Sequence, residues 1–139
     1  MDIREIKEWI RLADDDLYSA KILNEAVRKP CEIICYHCAQ AVEKYLKGYL
    51  IYNDIEPKKT HDLSFLNSIC IEKDDTFKNI QTLCDFLTTF AHNVRYPHRY
   101  EVTEDDANFS IKAVEKVRNC KPIFDIRNEL DKTNINLSN

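Results

Sequence analysis

The sequence predicts an all-α protein, an antiparallel up-and-down bundle of four principal helices with shorter helices between them. Three observations predict it. Only one of the 139 residues is Gly and four are Pro, too few to turn the chain as often as an all-β fold requires. Apolar residues recur every three or four positions over long stretches, the period of a helix with one buried face. Short segments rich in Asn, Asp and Pro separate those stretches. The length suits one domain with its own core, over residues 1–129, followed by a frayed tail over 130–139.

The first helix is expected over about Asp2 to Val27, where Ile6, Ile10, Ala13, Leu17 and Ala20 share a face. Asp14, Asp15 and Asp16 fall on and beside its outer surface, as an acidic run on a solvated helix face does. Pro30 breaks this helix and suits the first turn of a second, from Cys31 to about Tyr52, which folds back as an antiparallel hairpin. Along the second helix Cys31, Cys35, Cys38, Val42, Tyr45 and Tyr49 make one stripe, while Gln40, Glu43, Lys44 and Lys47 lie mostly on another. Glu43 and Lys47, acid first at i and i+4, can pair for about 0.3 kcal/mol.

Asn53 to Lys59 has no apolar period and reads as a loop. A shorter helix follows from His61 or Asp62 to Cys70, with Asp62 favoured in its first turn by the backbone dipole. Asp75 or Thr76 is placed to cap a fourth helix carrying Phe77, Ile80, Cys84, Leu87 and Ala91. Tyr96 precedes Pro97 and is pushed towards extended backbone, so His92 to Glu101 reads as a loop. Thr103 and Asp106 form a variant capping box opening the last long helix, which Lys121-Pro122 ends. Leu130 to Asn139 is polar, rich in Asn and without period, hence the expected tail.

A formal net charge of -4 argues against broad coating of nucleic acid or of an anionic membrane, so any anion site is local. The opening Met1-Asp2-Ile3-Arg4-Glu5 lacks the apolar core of a signal peptide, and no run is long enough to span a bilayer. A cytoplasmic protein with no membrane association is expected, and its six cysteines are expected to remain thiols. Cys31, Cys35, His37 and Cys38 hold zinc-type donors, but on a helix the three thiols share the core stripe and His37 points elsewhere. Buried thiols and no metal are expected. A Cys nucleophile with a His base has no local signature here. Gly48, the single glycine, falls inside a helix, so a glycine-rich phosphate loop cannot be built.

The stretch from His92 to Tyr100 is different, concentrating Arg95, Arg99, His92, His98, Tyr96 and Tyr100 in a loop of an acidic protein. Such a loop can hold a phosphate by guanidinium hydrogen bonds and stack a base on an aromatic ring. Equally, Arg95 can pair with an acid of a neighbouring helix while Tyr96 closes the core. Lys58, Lys59 and His61 extend the basic surface if their loop lies near that segment, a proximity the sequence does not establish.

Gln40-Ala41-Val42-Glu43-Lys44-Tyr45-Leu46-Lys47, followed by Thr60-His61-Asp62-Leu63 and by Arg95-Tyr96-Pro97, resembles the HEPN domain (higher eukaryotes and prokaryotes nucleotide-binding) in order and spacing. Trp9, Ala13, Asp16-Leu17 and Ala20 are similar to that family's opening helix, and the resemblance runs from about Ile6 to Val117. It implies a helical bundle that forms a homodimer, with polar residues of the late loop in a cleft between subunits. It also implies a minimal nucleotidyltransferase partner, as in a toxin-antitoxin-like module, and no cofactor. Many members are metal-independent endoribonucleases in which an Arg is followed four to six residues later by a His. Here Arg95 fits the Arg, but Arg99, Tyr100 and Glu101 stand where the His is sought, His98 comes too early and His92 precedes the Arg. The expectation is a noncatalytic protein that binds a nucleotide, RNA or a nucleotidyltransferase partner, with Arg95, Tyr96, Arg99, Lys58, Lys59 and His61 as the nucleotide- or RNA-binding residues. The alternative is a divergent endoribonuclease toxin in which Arg95 works with His92 or His98.

Overall fold

The computed structural model describes residues 2–91 and 101–138, the side chains of 134–138 excepted. Among the described residues the chain forms six α-helices and one 3-10 helix, and no strand. The first helix, α1 (Ile3–Leu23), starts at Asp2, whose carboxylate accepts from the backbone N–H groups of Arg4 at 2.9 Å and Glu5 at 3.4 Å. Its core face is the expected one, Ile6, Ile10, Ala13, Leu17 and Ala20, all buried. It stops at Leu23 rather than Val27. Glu25 and Ala26 close turns onto Ile22 and Leu23, and Val27 is fully exposed, so no apolar contact offsets the entropy of another helical turn.

The second helix, α2 (Cys31–Tyr52), has the bounds read from sequence and is the centre of the bundle. It packs against α1 and also against α3 (Leu63–Lys73), α4 (Gln81–Thr88), α5 (Glu104–Asn119) and α6 (Lys121–Ser138). A helix with neighbours on most sides cannot keep a solvated face, and its buried residues include Glu43 and Lys47 as well as the apolar stripe. Gly48 sits where α1 crosses closely. A Cβ added there would lie 3.3 Å from the Trp9 Cβ and 3.4 Å from the Ile10 Cδ1.

Asp62 caps α3, accepting from the Phe65 N–H at 3.0 Å. The next segment differs from expectation, because Asp74 rather than Asp75 or Thr76 is the cap and a 3-10 helix, Asp75–Ile80, precedes α4. The cause lies in the buried Asn67, whose Nδ2 donates to the Phe77 carbonyl at 3.1 Å and to Gln81 Oε1 at 2.8 Å. With that carbonyl engaged, the Gln81 N–H donates to Lys78 instead, the tighter 3-10 pattern. The capping box of α5 forms as expected, with the Asp106 N–H on Thr103 Oγ1 at 3.2 Å and the Thr103 N–H on Asp106 Oδ2 at 3.0 Å. Pro122 ends one helix and starts another, since α6 runs on to Ser138. The segment expected to fray from Leu130 is therefore helical. Ile123, Ile126 and Leu130 are buried at a helical spacing that links this segment to the core.

No helix among the described residues is long and apolar enough to cross a membrane.

Candidate functional site

Three polar side chains meet where α2 faces the loop before α3. Glu43 accepts from Lys47 Nζ at 3.1 Å through Oε2, and its Oε1 lies 2.8 Å from His61 Nδ1. Glu43 and Lys47 are 6% and 10% exposed at the side chain, whereas His61 is 57% exposed. The Lys47 ammonium also lies 5.9 Å from the centroid of the half-buried Trp9 ring, within cation–π range. A pair expected to act as a weak surface bridge is thus a buried one, with desolvated charges that depend on each other. Glu43 is an acceptor between two donors, so the His61 nitrogen facing it is the one that carries hydrogen.

The loop that carries His61 is fixed by short-range bonds. Thr60 Oγ1 accepts from the Asp62 N–H at 3.1 Å, and Asp62 in turn caps α3. The Leu63 and Ser64 N–H groups donate to Thr88 Oγ1 at 3.1 and 3.3 Å, and that hydroxyl donates to the Cys84 carbonyl at 2.8 Å. Ser64 Oγ adds a bond to Asp85. The start of α3 is therefore tied to the last turn of α4. Ala91, buried three residues beyond Thr88, is the last described residue before 92–100. Lys58 and Lys59 stand exposed three and two residues before His61. His92, Arg95, Tyr96, His98 and Arg99 lie outside the described residues. Of the sequence-derived candidates, then, Lys58, Lys59 and His61 fall on one exposed loop, and His61 is joined to Glu43.

A second polar network corrects the reading of the acidic run on α1. Only Asp15 behaves as a solvated carboxylate, paired with Arg11 at 2.9 Å and 63% exposed. Asp14 accepts from the Tyr45 hydroxyl and, at 2.9 Å, from Arg118 Nε. Asp16 accepts from Lys44 and faces His37 Nδ1 at 3.0 Å. Burial, with the Asp14 carboxylate beside it, drives the Tyr45 phenol far above the ordinary tyrosine range. For Arg118, burial opposes the charge, but the bonds to Asp14 outweigh it and hold the guanidinium up. Arg127 donates to the Arg118 carbonyl at 2.9 Å and so closes α6 onto the end of α5. These contacts lock α1, α2, α5 and α6 together, and Asp14 and Asp16 are structural residues.

The six thiols are free. Burial pushes Cys35 up to about 11 and Cys84 to about 12, with Cys38 and Cys70 raised further, so these thiols resist forming the reactive thiolate. His37 is turned to Asp16 rather than to the thiols. Among the described residues no group of three or more His, Cys, Asp or Glu is arranged to hold a metal ion.

Sequence reasoning missed the Glu43–Lys47–His61 cluster. The signal was present in Ala39, Ala41, Val42, Leu46 and Leu50, which surround Glu43 and Lys47 with apolar positions on both flanks. A polar pair so enclosed on a long helix is a buried pair.

Among curated proteins none matches the chain. A crystal structure of an archaeal HEPN homologue is similar in fold, with a TM-score of 0.67 at 24% identity, covering 90% of this chain and 97% of that one. The family model described as the HEPN domain matches residues 6–124. Those residues include the central helix, the capped α3 and most of the helices packed on them, and the chain belongs to the HEPN family.

Proposed function

We propose that this HEPN-domain chain is a noncatalytic component that binds a nucleotide or RNA. The binding face comprises Lys58, Lys59 and His61 together with Arg95, Tyr96 and Arg99 of the late segment. One observation carries this reading. The Leu63 and Ser64 amides donate to Thr88 Oγ1, so the start of α3, directly after the basic loop, is tied to the last turn of α4, four residues before the late segment begins. Two lysines and a histidine on that loop give a local anion site in an acidic protein, which suits recognition of a phosphate backbone rather than broad coating. The chain works in the cytoplasm as a homodimer beside a minimal nucleotidyltransferase protein, in a toxin-antitoxin-like module, and uses no cofactor.

Fluorescence anisotropy with a short single-stranded RNA tests it. Arg95→Ala weakens binding while the helical circular dichroism stays that of the parent. Unfolding of Arg95→Ala makes Arg95 a structural ion-pair residue instead. A second reading, a divergent metal-independent endoribonuclease, is favoured by the contact between the exposed imidazole of His61 and the buried Glu43.

A further inference from the structure

We propose that the cleft between α1 and α6 binds a small organic carboxylate, its acid group on Arg127 and Arg118 and its hydrocarbon part on Ile10 and Leu130. The cleft holds about 460 Å³, and none of Lys58, Lys59 and His61 lines it, so the inference stands apart from the RNA-binding reading. It rests on how the half-buried guanidinium of Arg127 is used. Nε and Nη2 donate to the Arg118 carbonyl at 3.2 and 2.9 Å, and Nη2 also reaches Asn119 Oδ1 at 3.1 Å. These acceptors are neutral. Among the described residues Nη1 donates to nothing and no carboxylate pairs with Arg127, which leaves the two N–H donors of Nη1 to a ligand.

The surrounding charges leave room for one anion. Asp14 is committed to Arg118 Nε at 2.9 Å and to the Tyr45 hydroxyl. On the rim Arg11 holds both Glu8 and Asp15, and Lys7 adds a further cation. Asp131, one helical turn beyond Arg127, makes no ion pair with it and attracts it less than Arg118 repels it. Burial, and next the Arg118 charge, therefore hold Arg127 below the ordinary arginine range. A single negative charge relieves that repulsion. A planar carboxylate matches the guanidinium edge, whereas a doubly charged phosphate is repelled more strongly by Glu8, Asp14, Asp15 and Asp131 around the cleft. Ile10 and Leu130, 7% and 6% exposed, also line the cleft and give a hydrocarbon chain an apolar surface to cover.

The test is a methyl NMR titration of the full chain with sodium butyrate, at constant ionic strength, beside one with inorganic phosphate. Butyrate is expected to move the Ile10 and Leu130 methyl resonances along a saturable curve with a Kd of about 1–10 mM. Phosphate is expected to bind at least about 10-fold more weakly. Arg127→Gln keeps an amide for the Arg118 carbonyl but loses the charge, and it weakens butyrate binding by about 10- to 100-fold. If Arg127→Gln does not fold, the Arg127 Nε–H resonance of wild type decides the matter, because butyrate seated on that guanidinium must move it. No saturable binding by wild type up to about 100 mM butyrate overturns the proposal. Phosphate bound as tightly as butyrate overturns it as well, since the hydrocarbon part then contributes nothing. Undiminished binding by folded Arg127→Gln, or saturable shifts that spare Ile10, Leu130 and Arg127, places the ligand elsewhere and overturns it too.

Discussion

Replacing Lys47 with Met strips the buried Glu43 of one of its two donors. Glu43 and Lys47 are 6% and 10% exposed, with 3.1 Å between the charged atoms. Breaking a buried pair by removing one partner costs about 3–5 kcal/mol. Because His61 still faces Glu43 at 2.8 Å, and because Met keeps most of the packing against Trp9, the lower end applies, about 3 kcal/mol. For a chain of 139 residues the unfolding entropy is about 0.3 kcal/mol/K, so this loss lowers the Tm by about 10 °C. The double variant Glu43→Met with Lys47→Met removes both charges at once. It recovers most of the loss, since an apolar pair of similar volume replaces a buried ion pair nearly neutrally. Urea titrations of the four proteins give the coupling energy as a double-mutant cycle. A coupling of about 0.3 kcal/mol, the value for an exposed i, i+4 pair, would refute the reasoning.

Alkaline conditions should unfold the protein early. The buried thiols of Cys35, Cys38, Cys70 and Cys84 and the Tyr45 phenol are raised above their ordinary values of 9.0 and 10.0. Above about pH 9 the unfolded chain therefore loses protons that the folded one keeps, and stability falls as pH rises. It is fully present below that pH. Tyr45→Phe removes part of this slope, as measured by the midpoint of urea unfolding between pH 8 and 10.5. Thr88→Val deletes the acceptor shared by the Leu63 and Ser64 amides and costs about 1–2 kcal/mol; hydrogen exchange at those two amides accelerates while that of α2 amides keeps its order.

Local chemistry made much of this fold legible. Pro30 and the polar stretch from Asn53 bracket α2, and its bounds match the structure. The Thr103 and Asp106 box is a four-residue signal that needs no tertiary context. What the sequence left hidden depends on partners distant in the chain. Asp14 and Asp16 read as solvent-facing until Tyr45, Arg118, His37 and Lys44 are brought to them. The 3-10 helix before α4 follows from Asn67, eight residues before its start, taking the Phe77 carbonyl. Leu130 looked isolated in a polar segment, yet with Ile123 and Ile126 it continues a buried face of α6. At the candidate site, His61 was visible as a residue, but its joining to Glu43 across eighteen positions was not.

Binding of a short single-stranded RNA over a salt series, by wild type and by Lys58→Ala with Lys59→Ala, tests the central claim most directly. Both lysines are exposed on a loop and neither is part of the core, so their removal leaves the bundle intact. The account predicts that wild type binds and that the double variant binds more weakly, with a slope of log K against log salt shallower by about 1.4. Equal affinity and equal slope for the two proteins, or no RNA binding by wild type at low salt, would contradict it.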